Sequence, residues 1–224
     1  MSTFRFRQGE PIGLSVMRFT LTYDGPLSSS NGGAGKRSER KQAIREQIHP
    51  QLAELWKTHP SLIGLQRSRY IAAHIIGESE SKQYGEEGSA LPGDIDLCAP
   101  VTKGGADFLP LVRDRLKLKC SLTISFLRRE APGRVYQGGD LDNRVKMLLD
   151  ALTVPRHNEQ VVPSVIDGVT YCLLEDDSLI TGLDVQSRRM LGGNGAAPND
   201  VKLFIDVDVR VSDVGAHNRG FLGD

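Results

Sequence analysis

The stretch LKLKCSLTISFLRREAPGRVYQGGDLDNRVKMLLDAL, residues 116–152, carries the two strongest structural signals in this chain. Its first third alternates apolar side chains with Lys, Ser and Thr, which predicts a strand with one buried face. From residue 141 to residue 152, apolar side chains recur at helical spacing. We therefore expect a strand, a turn and then a helix that begins at or near Asp142.

The flanking sequence extends this pattern into an α+β domain. Strict alternation predicts strands at 17–23 and 201–211, and residues 179–191 read mostly as strand. A helix is expected over 39–48, with Pro50 interrupting or kinking it. Residues 1–15 show no clear period and are expected to be irregular. The order indicates a small mixed β-sheet with helices packed mainly on one face.

Length and composition favour one globular domain. The 224 residues are 39% hydrophobic and 25% charged, and we interpret 1–224 as a single domain in which 58–110 is an insertion. No apolar run is long enough to span a membrane, and the N-terminus lacks the apolar stretch of a secretory signal, so a cytoplasmic location is expected. The three cysteines have no metal-binding spacing and are expected to be reduced and buried.

Charge is balanced overall but unevenly distributed. The chain has 28 basic and 28 acidic residues, so its net charge gives no support for nucleic-acid binding. Between Arg113 and Lys146, however, nine Lys/Arg stand against four Asp/Glu. A basic segment beside carboxylates suits a site that cleaves phosphate esters, although a strand with a solvated face explains the same charges equally well.

Asp140-Leu141-Asp142-Asn143 is the strongest chemical motif. In an extended stretch, residues two apart point the same way, so both carboxylates could converge on one cation. Lys146 lies one helical turn after Asp142, on the same side of the helix. Two carboxylates and an amine are the groups that Mg²⁺-assisted phosphodiester hydrolysis needs. Taken alone, however, helix capping by aspartate explains the spacing at least as well.

A second acidic group is Glu175-Asp176-Asp177, which follows an apolar run. Three adjacent carboxylates repel one another unless a positive charge lies among them. A metal ion would provide that charge. The alternative is a solvated turn in which a side chain bonds its own backbone.

Taken together, GDLDNRVKMLLDAL and the later LLEDDSLITGLDV resemble the RusA family of Holliday-junction resolvases. The shared features are the D-L-D-N motif, a lysine four residues after its second Asp, a D-A-L helix end and an acidic pair before a strand. The match covers roughly residues 116–211. It favours the catalytic interpretation of both acidic motifs over the structural one.

The resemblance implies a RusA-like fold and a homodimer that cuts opposed strands of branched DNA. The implied cofactor is Mg²⁺, with Mn²⁺ as a substitute. The implied catalytic residues are Asp140, Asp142, Asp177 and Lys146, of which the three aspartates are the metal ligands. The cations considered for DNA contact are Lys36, Arg37, Arg128, Arg129, Arg134 and Arg144.

Several departures from the family pattern leave other functions open. The chain is nearly twice as long as compact members, and 58–110 and 154–174 are longer than expected. A nuclease for another substrate, such as a flap, phage DNA or RNA, is one alternative. A relative that binds DNA or protein without cutting is the other.

Overall fold

The structure, a computed structural model, describes residues 2–7, 13–27, 34–72, 94–128, 140–191 and 200–221. For 2–7, Ala34, Asp94 and Asp140 it describes the backbone alone. In chain order the elements are β1 (Ser2–Arg7), β2 (Leu14–Pro26), α1 (Ala34–Thr58), α2 (Pro60–Arg67), β3 (Tyr70–Ala72), β4 (Asp94–Asp96), β5 (Val101–Lys103), β6 (Ala106–Val112), β7 (Leu118–Arg128), α3 (Asp140–Leu152), β8 (Thr170–Leu174), β9 (Ile180–Arg189) and β10 (Asp200–Val211).

A five-stranded mixed sheet forms the framework, in the order β1-β9-β7-β10-β2. β7 runs parallel to β9, and the other neighbours are antiparallel. In β7 and β10 every second side chain is buried, as their alternation predicts. A smaller sheet, β5-β6-β8, and a two-stranded ribbon, β3-β4, complete the β structure of the described residues. The α+β class is confirmed.

The helices and both larger sheets share one hydrophobic core. α1 contributes Ile44, Ile48, Leu52 and Trp56, and α3 contributes Leu148 and Leu152. The stretch interpreted as an insertion also reaches this core, through side chains such as Leu62, Ile95 and Leu109. None of the helices in the described part of the chain combines the length and apolar character needed to cross a bilayer.

The prediction that Pro50 interrupts the helix is wrong, because α1 continues from Ala34 to Thr58 with Pro50 inside it. A proline inside a helix removes one backbone hydrogen bond and crowds the preceding turn, at a cost of about 3 kcal/mol. Burial of the apolar face beyond Pro50 offsets this cost, since Leu52 and Trp56 are almost fully buried. The tertiary contacts of the second half of the helix therefore outweigh the local penalty.

The prediction that residues 1–15 are irregular is also wrong. Ser2–Arg7 forms β1, an edge strand paired antiparallel with β9, and β2 already begins at Leu14. The stretch STFRFR, residues 2–7, does alternate, but a run of six residues with two apolar members is too short to stand out. Pairing with β9 supplies the stability that the local pattern lacks.

Two glutamines of α1 close part of the other sheet edge. The Gln51 amide accepts from the Thr22 N–H at 2.9 Å and donates to the Thr22 carbonyl at 2.8 Å, as a neighbouring strand would. Gln47 accepts from the Asp24 N–H at 3.3 Å. These bonds satisfy edge groups that would otherwise offer a template for aggregation. They also fix α1 against the sheet, which matters for the site below.

All three cysteines are buried and reduced, as expected. Burial raises the pKa of Cys98 to about 11 and those of Cys120 and Cys172 to about 12. Because the thiolate is the reactive form, we expect negligible reaction with a thiol-specific disulfide reagent at pH 8 in the folded protein. Titration should release three equivalents in denaturant, and rapid reaction of any thiol without denaturant would contradict the buried assignment.

Candidate active site

α3 carries the D-L-D-N motif at its first turn. The helix begins at Asp140, so Asp140 and Asp142 both lie in its first turn and not in the extended stretch that was expected to point their side chains the same way. The helix buries Val145, Leu148 and Leu152. Asp142 and Lys146 are both exposed, one turn apart, as predicted. The Asp140 side chain lies outside the described residues. The helix therefore presents one candidate carboxylate and the candidate lysine side by side at the surface.

The C-terminal end of α3 is held by α1. Buried Arg45 donates from Nη2 to the Asp150 and Thr153 carbonyls, at 3.0 and 3.2 Å. Lys41 forms an ion pair with Asp150 at 2.7 Å. The last carbonyls of a helix have no partner within it, so these contacts complete its final turn. The position of Asp142 and Lys146 is thus set by packing between two helices.

A cavity of about 290 Å³ opens between α1 and α3. Its lining combines cations with polar and apolar groups: Arg37, Ser38, Lys41, Asn143, Lys146, Met147, Asp150 and Gln160. Arg37, a predicted DNA contact, thus lies beside the candidate lysine, while Lys36 is exposed on the same turn of α1. Lys41 and Gln160 were not anticipated, because neither belongs to a motif and only the packing of distant segments brings them here.

The second acidic motif forms a short turn before β9. The Asp176 carboxylate accepts from the Ser178 N–H at 2.9 Å. Hydrogen bonding to Ser178, aided by nearby Arg156, lowers the pKa of Asp176. Glu175 accepts from the Asp114 N–H at 3.0 Å and lies 4.0 Å from buried Arg113. Both residues thus support the local structure. The sequence alternative was a turn in which Asp177 or Ser178 bonds its own backbone, and in the structure the Asp176 side chain makes such a bond.

Asp177, the residue preferred as a metal ligand, is more exposed and pairs with an arginine. Its carboxylate accepts from Arg156 Nη2 at 2.5 Å, and the same guanidinium lies 3.9 Å from Asp176. Arg156 therefore supplies the positive charge that adjacent carboxylates require. Arg156 follows Pro155 in the long connection after α3, and no sequence pattern linked it to the acidic turn.

Of the three predicted metal ligands, the structure describes the side chains of Asp142 and Asp177. Leu174, three residues before Asp177, bridges Thr153 at the C-terminal end of α3, whereas Asp142 lies about 15 Å of helical rise before that end. Among side chains that the structure describes, no three His, Cys, Asp or Glu residues lie close enough to hold a metal ion. Asp142 and Asp177 carry the carboxylate oxygens that Mg²⁺ prefers. These two residues therefore suit the metal by their type of ligand atom.

Two of the arginines considered for DNA contact are placed differently from the expectation. Arg128 and Arg144 are only 6% and 3% exposed. Both lie on the buried side of their elements. A buried guanidinium does not present its charge to a phosphate backbone, so we do not propose Arg128 and Arg144 as DNA contacts. Arg129 and Arg134 lie outside the described residues.

A second cavity, of about 350 Å³, lies on the polar face of the large sheet. Asp206 accepts from the Thr20 hydroxyl at 2.6 Å, and Asp208 binds Ser15 and Arg210. Burial alone would raise the pKa of Asp208, but the hydrogen bonds from Ser15 and Arg210 outweigh it and lower that pKa. Since these carboxylates already have partners within the protein, we do not consider this face a candidate active site.

The comparisons with known proteins give no relative of this chain to which the candidate site can be compared. No protein-family model matches the chain, and neither a curated protein nor a solved structure matches it.

Proposed function

We propose that this chain is a Mg²⁺-dependent endonuclease that cuts branched DNA, as its resemblance to the RusA resolvases implies. One observation carries the proposal: α3 presents Asp142 and Lys146 together at the surface, beside a cavity lined by Arg37 and Lys41. A carboxylate for a metal, an amine for the reacting phosphate and further cations for its neighbours are the parts that phosphodiester cleavage uses.

Each residue has a distinct role in the proposed reaction. Asp140, Asp142 and Asp177 would hold Mg²⁺, which when bound supplies an activated water and neutralises charge on the phosphate. Lys146 binds the scissile phosphate and stabilises negative charge on the departing oxygen. Arg37 holds the adjoining stretch of backbone, which fixes the strand for attack. In a homodimer, two such sites would cut opposed strands of a four-way junction.

The direct test is cleavage of a synthetic four-way junction by the purified protein. We expect products with Mg²⁺ or Mn²⁺ and none with EDTA. Flap, linear duplex and RNA substrates of matched sequence should be compared in the same assay, because they distinguish the junction from the other nuclease targets. Equal cutting of linear duplex, or cutting that persists in EDTA, would contradict the proposal.

A non-cutting DNA-binding protein is the second candidate, and the Arg156–Asp177 ion pair favours it. An arginine that neutralises Asp177 permanently would leave too few carboxylates for a metal. Binding of junction DNA without cleavage at any concentration of Mg²⁺ or Mn²⁺ would support this candidate.

The two candidates predict different consequences of replacing Arg156. If Asp177 is a metal ligand, Arg156 competes with the ion, so Arg156→Gln should tighten Mn²⁺ binding. The pair is about half exposed and worth at most about 1 kcal/mol, which limits the gain to about fivefold. Calorimetric titration of the DNA-free protein measures it. Arg67→Gln, the same charge change on α2, is the control. Unchanged Mn²⁺ affinity in Arg156→Gln would remove Asp177 from the ligand set.

A further inference from the structure

The cavity between α1 and α3 has the size of a small-ligand site. Its volume of about 290 Å³ lies at the lower end of the range for small-molecule pockets, about 300–1,000 Å³. Arg37 and Lys41 of α1 form one wall, and Asn143 and Lys146 of α3 form the other. Such a space accommodates one nucleotide unit, whereas a duplex would lie across its mouth.

The net charge of the cavity favours an anion. Lys41 is neutralised by Asp150, at 2.7 Å. Arg37 and Lys146 are exposed, and neither takes part in an ion pair within the portion of the chain that the structure describes. The cavity therefore presents two uncompensated positive charges, which suit a phosphate and the adjacent phosphate of the same nucleic-acid strand.

The remaining lining suits a base better than a phosphate alone. Met147 is 3% exposed and offers an apolar contact from beneath. Asn143 and Gln160 carry side-chain amides, which donate and accept as base edges do. The side-chain oxygen Oε1 of Gln160 accepts from the backbone N–H of Arg156 at 3.2 Å, which fixes the Gln160 side chain in place. A site for inorganic phosphate would need none of these groups.

We propose that this cavity binds a single unpaired nucleotide of the DNA substrate, with its phosphate on Arg37 and Lys146 and its base against Met147, Asn143 and Gln160. The inference rests on the proposed function for one point, namely that the bound strand is DNA. A paired base is stacked and turns its edges toward its partner, so only an unpaired nucleotide can enter. The cavity thereby selects a branch point or single-stranded junction over continuous duplex.

The cavity on the polar sheet face provides an internal comparison. It is of similar size, about 350 Å³, but Asp206 and Asp208 lie among its lining residues beside Arg18. Carboxylates there would repel a phosphate. Size alone therefore does not distinguish the two cavities, and the difference in charge does.

The test uses 2-aminopurine DNA in EDTA, so that no cutting occurs. One probe carries 2-aminopurine unpaired at a branch point, and a second carries it paired within a duplex of the same sequence. We expect the whole protein to alter fluorescence of the unpaired probe alone. Arg37→Ala and Gln160→Ala should each weaken its binding about tenfold, since a good contact to a base or phosphate contributes that much. Arg67→Ala and Gln186→Ala, which remove the same groups elsewhere, should bind normally.

Competition identifies which part of the nucleotide is recognised. A deoxynucleoside monophosphate should displace the probe at lower concentration than inorganic phosphate does. Equal competition by phosphate, or wild-type affinity in Gln160→Ala, would overturn the inference. Cleavage is scored separately with Mg²⁺. If the wild type cuts junctions but Gln160→Ala binds normally, only the nucleotide site fails. If the variants weaken probe binding as expected but the wild type cuts nothing, only the nuclease proposal fails.

Discussion

Replacement of Asp142 with asparagine is expected to abolish junction cleavage while leaving junction binding intact or tighter. Asparagine keeps the size of the side chain and one oxygen but removes the negative charge that Mg²⁺ requires. Even supporting residues of a metal site change activity by about 10–100-fold, so loss of a direct ligand should exceed about 100-fold. Binding should not suffer, because less negative charge then faces the phosphates.

Three measurements separate this result from a structural effect. Cleavage with Mg²⁺ reports the chemistry, junction affinity in EDTA reports DNA binding, and thermal unfolding reports the fold. Asp142 is an exposed residue in the first turn of α3, so its replacement should cost less than about 1 kcal/mol of stability. Asp167→Asn, an exposed aspartate in the connection after α3, is the matched control and should cut normally. Full activity in Asp142→Asn would show that Asp142 is not the metal ligand, and loss of binding together with folding would show that its role is structural.

The elements with long, regular patterns could be predicted from sequence. β7 and β10 each alternate over eleven or more residues, and burial of one face follows directly from that alternation. α3 was also predictable, since a helix with one apolar stripe has one way to face the core. Asp142 and Lys146 are exposed because they lie outside that apolar stripe. This part of the site therefore followed from the local sequence.

The remainder depends on contacts between distant segments. Nothing near Arg156 in the sequence points to Asp177, yet their side chains meet at 2.5 Å. Gln160 reaches the cavity because the connection after α3 packs back along that helix. The burial of Arg128 and Arg144 was equally hard to predict from sequence, because charged residues are mostly exposed in folded proteins. Tertiary packing, which single-residue preferences do not encode, decides each of these cases.

The largest stability effect is expected at Arg45, which joins α1 to α3. Its side chain is 3% exposed, and burial lowers its pKa from the ordinary arginine value. Its two bonds, to the Asp150 and Thr153 carbonyls, satisfy groups that a helix end otherwise leaves unpaired. Arg45→Ala leaves these carbonyls buried without a donor and opens a cavity as well. We expect a loss of about 3–5 kcal/mol, a large share of the stability of a typical domain.

A second variant separates the hydrogen bonds from the volume. Arg45→Met keeps most of the side-chain volume but supplies no donor, so it should still cost about 2–4 kcal/mol if the two carbonyls are the cause. Urea unfolding, followed by circular dichroism, measures both variants, and Arg67→Ala on exposed α2 should change stability by less than about 0.5 kcal/mol. A stable Arg45→Met variant would mean that apolar packing can replace the arginine, as happens for some buried charges. Retention of junction binding by that variant would then show that α3 keeps Lys146 in place without the two hydrogen bonds from Arg45.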